Sequence, residues 1–266
     1  MPQAEVNGVR LLVEEHGSGA PLVLVHGSWD DRQVWAFVED DLAASFRVLS
    51  YDRRGHTGSE DSAKPGLRSN DEDDLAALIE ARGLAPAHLV ANSFGASITL
   101  GLLARRPELV RSVCAHEPPL FGLAAEDPAV ALFVAGVDPV FTLIEEGDEE
   151  SGAKRFLELV LGPEAWGLMS AEEQTAMVGN AGTFLEEQRD PDGGLVDLDA
   201  LASVSCPVLL TRGSESPPMF GAVIEILAGV MEHAEVKTIP DAGHVPHLTH
   251  PARYVAMVTE FAHRAG

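Results

Sequence analysis

A chain of 266 residues with 45% apolar and 23% charged residues has ordinary globular composition, which excludes the fibrous and disordered classes. Its 18 Lys+Arg against 42 Asp+Glu leave a net charge of −24. Such a field repels phosphate backbones and anionic headgroups, so nucleic acid and membrane surfaces are excluded as partners.

The length suits one large domain, or a core that carries an insertion. Met1-Pro2-Gln3-Ala4-Glu5-Val6 lacks the basic start and apolar run of a signal peptide, and no segment reaches the roughly 18 unbroken apolar residues of a membrane span. A soluble, cytoplasmic protein is expected. Cys114 and Cys206 sit in apolar stretches and read as small core residues without a disulfide. The densest acidic runs, Glu39 to Asp41, Asp71 to Asp74 and Glu145 to Glu150, read as solvated faces and helix starts.

In chain order, Leu22 to Val25, Arg47 to Tyr51, His88 to Ala91 and Val110 to Ala115 are short apolar runs that alternate with segments of helical period. Among the latter are an amphipathic stretch with Trp35, Phe37, Val38 and Leu42, and Asp74 to Arg82 stopped by Gly83. This alternation predicts a parallel sheet with crossover helices. It resumes with Val208 to Thr211, helical Phe220 to Leu227, Val236 to Ile239 and a last helix from Tyr254 to His263. Between the two halves, residues 119–204 offer helical segments but no convincing strand. The expected organisation is a core of residues 1–118 and 205–266, with a helical lid inserted at 119–204.

The sharpest chemical signal is Ala91-Asn92-Ser93-Phe94-Gly95, where a strand turns directly into the helix Ser97 to Arg105. A strained small-x-Ser-x-small turn holds a serine oxygen up at the end of a sheet, so Ser93 is the candidate nucleophile. The usual motif begins with Gly; here Ala91 stands in its place. Upstream, Val25-His26-Gly27-Ser28-Trp29 leaves a strand through a glycine turn. The backbone N–H groups of Ser28 and Phe94 are the candidate oxyanion donors. His26 reads as a loop brace. So does Tyr51-Asp52-Arg53-Arg54-Gly55-His56, in which Asp52 is expected to tie an arginine.

The base is expected on the loop after the last strand, and Asp241-Ala242-Gly243-His244 places His244 there. The acid is the irregular part. The Gly-x-x-Asp turn that would normally supply it reads Gly213-Ser214-Glu215-Ser216, and serine cannot carry the charge that holds an imidazole in its tautomer. Two carboxylates are available. Glu215 lies one residue early, and Glu117 ends the strand before the lid, facing the same cleft. Glu117 is favoured.

Together these motifs resemble the α/β-hydrolase superfamily over residues 20–118 and 204–262. The resemblance implies an α/β fold with a mostly parallel sheet flanked by helices, an inserted lid, and the chain order Ser93, acid, His244. The acid placement is similar to that of the fungal zearalenone lactonases, in which a glutamate in a Cys-His-Glu context completes the triad; Cys114-Ala115-His116-Glu117 matches that context with one residue inserted. The implied activity is hydrolysis of an ester or lactone of a hydrophobic small molecule, with no metal and no organic cofactor. A carbon–carbon bond hydrolase, a cofactor-free lyase or cyclase and a non-catalytic ligand receptor are the competing readings, and self-association into a homodimer is left open. Trp29, Leu120, Phe121 and Trp166 are the candidate substrate contacts. Leu132, Phe133, Phe141, Leu143 and Phe184 offer further apolar lid surface.

Overall fold

The computed structural model describes residues 2–61 and 66–265. Among them, eight strands form one sheet: β1 Gln3–Val6, β2 Val9–Gly17, β3 Ala20–Val25, β4 Phe46–Tyr51, β5 Ala87–Asn92, β6 Val110–His116, β7 Val208–Gly213 and β8 Ala234–Ile239. Their order is β1-β2-β4-β3-β5-β6-β7-β8, and every pairing from β4 onward is parallel. β5 is buried along its whole length, because helices cover both faces of a parallel sheet and such strands read as unbroken apolar runs.

The first two strands were not anticipated. They pair antiparallel with each other, and β2 pairs antiparallel with β4. β2 alternates buried and accessible side chains along Val9 to Val13. Asn7 and Gly8 both adopt positive φ, 47° and 81°, which is the backbone a tight two-residue hairpin requires. An Asn-Gly pair before an alternating run is a hairpin signal of a different kind from the continuous apolar runs that mark the parallel strands.

Between β6 and β7 the chain is helical, with the longest helices at Pro128–Glu145, Glu149–Leu161, Ala171–Gly179 and Ala181–Arg189. Pro128–Glu145 is as long and apolar as a membrane span, although Asp138 and Pro139 interrupt it. Each face of the sheet has its own apolar core. A third cluster lies within the helical segment and takes in Trp29 from the core.

The Asp71 to Asp74 run is not a solvated face. The helix begins at Arg68, two turns earlier than the apolar pattern indicated, and Asp71, Glu72 and Asp74 are buried. Arginines recover the desolvation cost: Arg53 bonds Asp71, Arg54 bonds Asp74, and Arg68 with Arg105 bond Glu72. Cys114 is buried, Cys206 is half-buried, and both are free.

Candidate active site

The ends of β5, β6 and β8 carry the site. Ser93 follows β5 with φ 55° and ψ −127°, a sparsely populated conformation whose strain is of order 1–3 kcal/mol. Its N–H donates to the His116 carbonyl on β6 (2.9 Å). The tightness of the turn shows at Gly95, where an added Cβ would meet the carbonyl oxygens of Val25 and His26 at 2.3 and 2.4 Å. Ala91 is buried in β5, in register with Val25 and Ala115, so its methyl is accommodated.

Glu117 leaves β6 with φ 50°, which turns its side chain back across the top of the sheet. Its N–H donates to Thr211 O at 3.0 Å. Its Oε1 accepts from Gly213 N at 2.8 Å, and its Oε2 lies 2.6 Å from His244 Nδ1. Burial opposes ionisation of Glu117, but the His244 hydrogen bond and the neighbouring His116 outweigh it and lower the carboxyl to about 2. The Ser216 hydroxyl adds a smaller lowering from beyond hydrogen-bond geometry. Glu215 is exposed and accepts from its neighbour Ser214.

His244 stacks flat on Phe220, 4.6 Å between centroids at 11°. With Nδ1 donating to Glu117, Nε2 is left with its lone pair free. His116, whose Nε2 stands 3.6 Å from Glu117 Oε2, is pushed down to about 4, chiefly by burial, so it is neutral at pH 7 and charged only in the acid range where Glu117 titrates. His116, Glu117 and His244 also present donor atoms within 4.8 Å of one another. The shortest of these separations has the length of a charge-assisted hydrogen bond and already occupies two of the atoms a cation would use.

The loops that read as braces are joined to one another. Arg53 N–H donates to His26 Nε2 (2.9 Å), so the His26 proton sits on Nδ1 and points to Gly27 O (2.9 Å). Asp52 accepts the backbone amides of Arg32 and Gly58. Asn180, from the helical segment, donates to the carbonyls of Trp29 and Asp30 and accepts from Thr57 N. One buried amide thus fastens the helical segment to both loops.

Ser93, His244, Ser28 and Phe94 all line one cavity of about 150 Å³, so the five residues proposed for chemistry converge once the Glu117–His244 bond is counted. Of the expected substrate contacts, Phe121 lines the cavity, as do Phe133, Phe141 and Phe184. Trp29, Leu120 and Trp166 do not. Trp29, with φ 67°, turns its ring into the helical segment between Phe156 and Phe184. Leu120 is fully buried in the main core, and Trp166, half-buried, packs against the third cluster. Phe156, Phe220 and Glu187 line the cavity unanticipated. Nothing in their local sequence distinguishes them from core or surface helix positions.

Residues 22–257 match the family described as Alpha/beta hydrolase family. The chain is 26% identical to a 2-(acetamidomethylene)succinate hydrolase of Mesorhizobium japonicum, over 97% of this chain and 94% of that one. It is 28% identical to a pimeloyl-[acyl-carrier protein] methyl ester esterase of Chromobacterium violaceum, over 95% and 98%. A solved structure of an alpha/beta hydrolase from Sphaerobacter thermophilus superposes with a TM-score of 0.78 at 25% identity, covering 98% of this chain and 99% of that one.

Proposed function

The chain belongs to the α/β hydrolase family, and from that premise we propose that it is a serine hydrolase cleaving a carboxylic ester or lactone of a hydrophobic small molecule. The observation that carries this reading is the Glu117–His244 hydrogen bond, made at the wall of a cavity that also holds Ser93.

In the proposed mechanism, His244 Nε2 takes the Ser93 proton as Oγ attacks the carbonyl carbon. Glu117 keeps the imidazole in the required tautomer and stabilises the imidazolium. The oxyanion is held by the N–H groups of Phe94 and Ser28. His244 then gives its proton to the departing alcohol oxygen, which leaves an acyl-enzyme on Ser93. Water, deprotonated by the same base, releases the acid and returns the serine. For a lactone the alcohol stays tethered and the product is a hydroxy acid. The phenylalanine-rich walls suit an apolar acyl or alkyl group, and the likeness to an ester-cleaving relative supports the reaction class.

A second reading, cleavage of a bond other than an ester by the same residues, is favoured by the likeness to the succinate hydrolase. Two measurements separate the two. A fluorophosphonate should label the wild type on the Ser93 peptide and leave Ser93→Ala unlabelled, and a p-nitrophenyl ester series from acetate to decanoate should be turned over. Labelling without turnover anywhere in the series would favour the second reading. Absence of labelling would remove both.

A further inference from the structure

The cavity wall includes a buried carboxylate that the proposed mechanism does not use. Glu187, on the Ala181–Arg189 helix, lines the cavity together with the nucleophile and is 4% exposed. Its Oε1 accepts from Arg53 Nη2 at 2.5 Å, and its Oε2 is buried without a hydrogen-bond partner. Burying an acceptor unpaired is costly, and a carboxylate oxygen all the more so.

Arg53 closes no second bond to that oxygen: its Nε is itself buried without a hydrogen-bond partner. Its guanidinium also bonds the Gly27 carbonyl and His56 Nε2, faces Asp71 at 3.4 Å, and lies over the Phe94 ring. The other carboxylate on the cavity wall is Asp190, and no Lys or Arg lines the cavity among the described residues. Seven phenylalanines stand among the remaining wall residues, and their ring faces attract cations. The whole chain carries −24, which draws cations to a cleft and repels anions.

We propose, on the reading that the site hydrolyses esters, that Glu187 determines specificity: its carboxylate at the cavity wall draws an ammonium group on an otherwise apolar substrate and disfavours carboxylate-bearing ones. A substituted succinate would bring its carboxylates against Glu187 and Asp190 with no cation on the wall to receive them.

The test compares three p-nitrophenyl esters of matched chain length: hexanoate, dimethylaminohexanoate and the adipate half-ester. The wild type is expected to favour the ammonium ester over hexanoate by roughly tenfold in kcat/KM, a difference of about 1.4 kcal/mol, and to rank the half-ester last. In Glu187→Gln the ammonium-to-hexanoate ratio should fall to near one. A wild-type ranking led by the half-ester, or a ratio unchanged in Glu187→Gln, overturns the proposal.

Binding to the wild type needs neither turnover nor a variant. Hexylammonium should raise the Tm and hexanoate should not, and equal or reversed shifts overturn the proposal even if the variant does not fold. Failure of all three esters to react, with the hexylammonium shift present, would instead count against ester hydrolysis and leave the Glu187 site standing.

Discussion

Glu117 Oε2 and His244 Nδ1 lie 2.6 Å apart although 127 positions separate the two residues in the chain. The contact spans the ends of β6 and β8, passing over β7, whose Gly213 N–H binds the other carboxylate oxygen. A left-handed backbone at Glu117 makes this reach available. The carboxylate is therefore held by one histidine and one backbone amide. The His244 hydrogen bond, with the neighbouring His116, keeps it ionised far below neutral pH in spite of its burial.

Removing that charge while keeping the shape should be far more damaging than removing the neighbouring one. Glu117→Gln is expected to lower kcat for ester hydrolysis by a factor on the order of 10⁴, because the amide no longer enforces the proton on Nδ1 or stabilises the imidazolium. Glu215→Gln should stay within about twofold of the wild type, since surface substitutions away from such features have small effects. Steady-state kinetics of both variants on one ester decide the matter, and a collapse in Glu215→Gln with activity kept in Glu117→Gln would refute the assignment.

How much of this was readable follows from where the information sits. Ser93 and His244 are each announced by a local motif, a strand followed by a small-residue turn or a glycine loop, so their positions could be read without knowing the packing. Glu117 could be reached only by noticing that Ser216 cannot do the chemistry and asking which strand end faces the same cleft. The cavity wall was half legible. Phe121 and Phe184 are apolar and lie in the right segment, but whether an aromatic ring faces the cavity or the interior of the helical segment depends on backbone turns such as that at Trp29. The buried acidic helix escapes the sequence pattern for a related reason: Asp71 and Asp74 are paired with Arg53 and Arg54 from a distant loop and Glu72 with Arg105 of another helix, and only the Arg68–Glu72 pair, four residues apart on the same helix, is recorded locally.

The turn at Ser93 predicts opposite outcomes for two small changes. Ala91→Gly should fold and retain activity within a few-fold, while losing about 0.5–1 kcal/mol because glycine gives up more backbone entropy in a strand. Gly95→Ala should prevent folding or abolish activity. Its Cβ would stand 2.3 Å from the backbone carbonyl oxygen of Val25, the last residue of β3, and 2.4 Å from that of His26, which follows it. Thermal denaturation and ester turnover of the two variants, side by side, check both statements.

Asn180 should matter for binding as well as for stability. It is 2% exposed and fastens the helical segment to the Trp29 and Thr57 loops. Asn180→Ala leaves buried backbone groups unpaired, at about 1–3 kcal/mol each where no water replaces the amide. The helical segment carries much of the cavity wall, so its loosening should raise KM for long-chain esters more than for acetate, with kcat less affected. A uniform loss across chain lengths would assign Asn180 to folding alone.

His247 is the place where the molecule gives up stability for no visible return. Its ring is fully buried, 4.6 Å from Trp35 and 5.8 Å from Tyr254, and neither ring nitrogen has a hydrogen-bond partner. Burial, with smaller contributions from His116 and His244, holds its pKa well below the usual 6.5. Below that value the unfolded chain takes up a proton that the folded chain refuses, so this position's contribution is fully present above pH 6.5 and declines as pH falls. Replacing the ring by one of similar shape removes both the unpaired nitrogens and the proton linkage. His247→Phe should therefore raise Tm, and by more at pH 5 than at pH 8, with the extra gain approaching about 1.4 kcal/mol per pH unit over the window. Melting curves of wild type and variant from pH 5 to pH 8 measure this difference directly. Parallel curves would mean that His247 is charged or hydrated in the folded protein, contrary to its packing against Trp35.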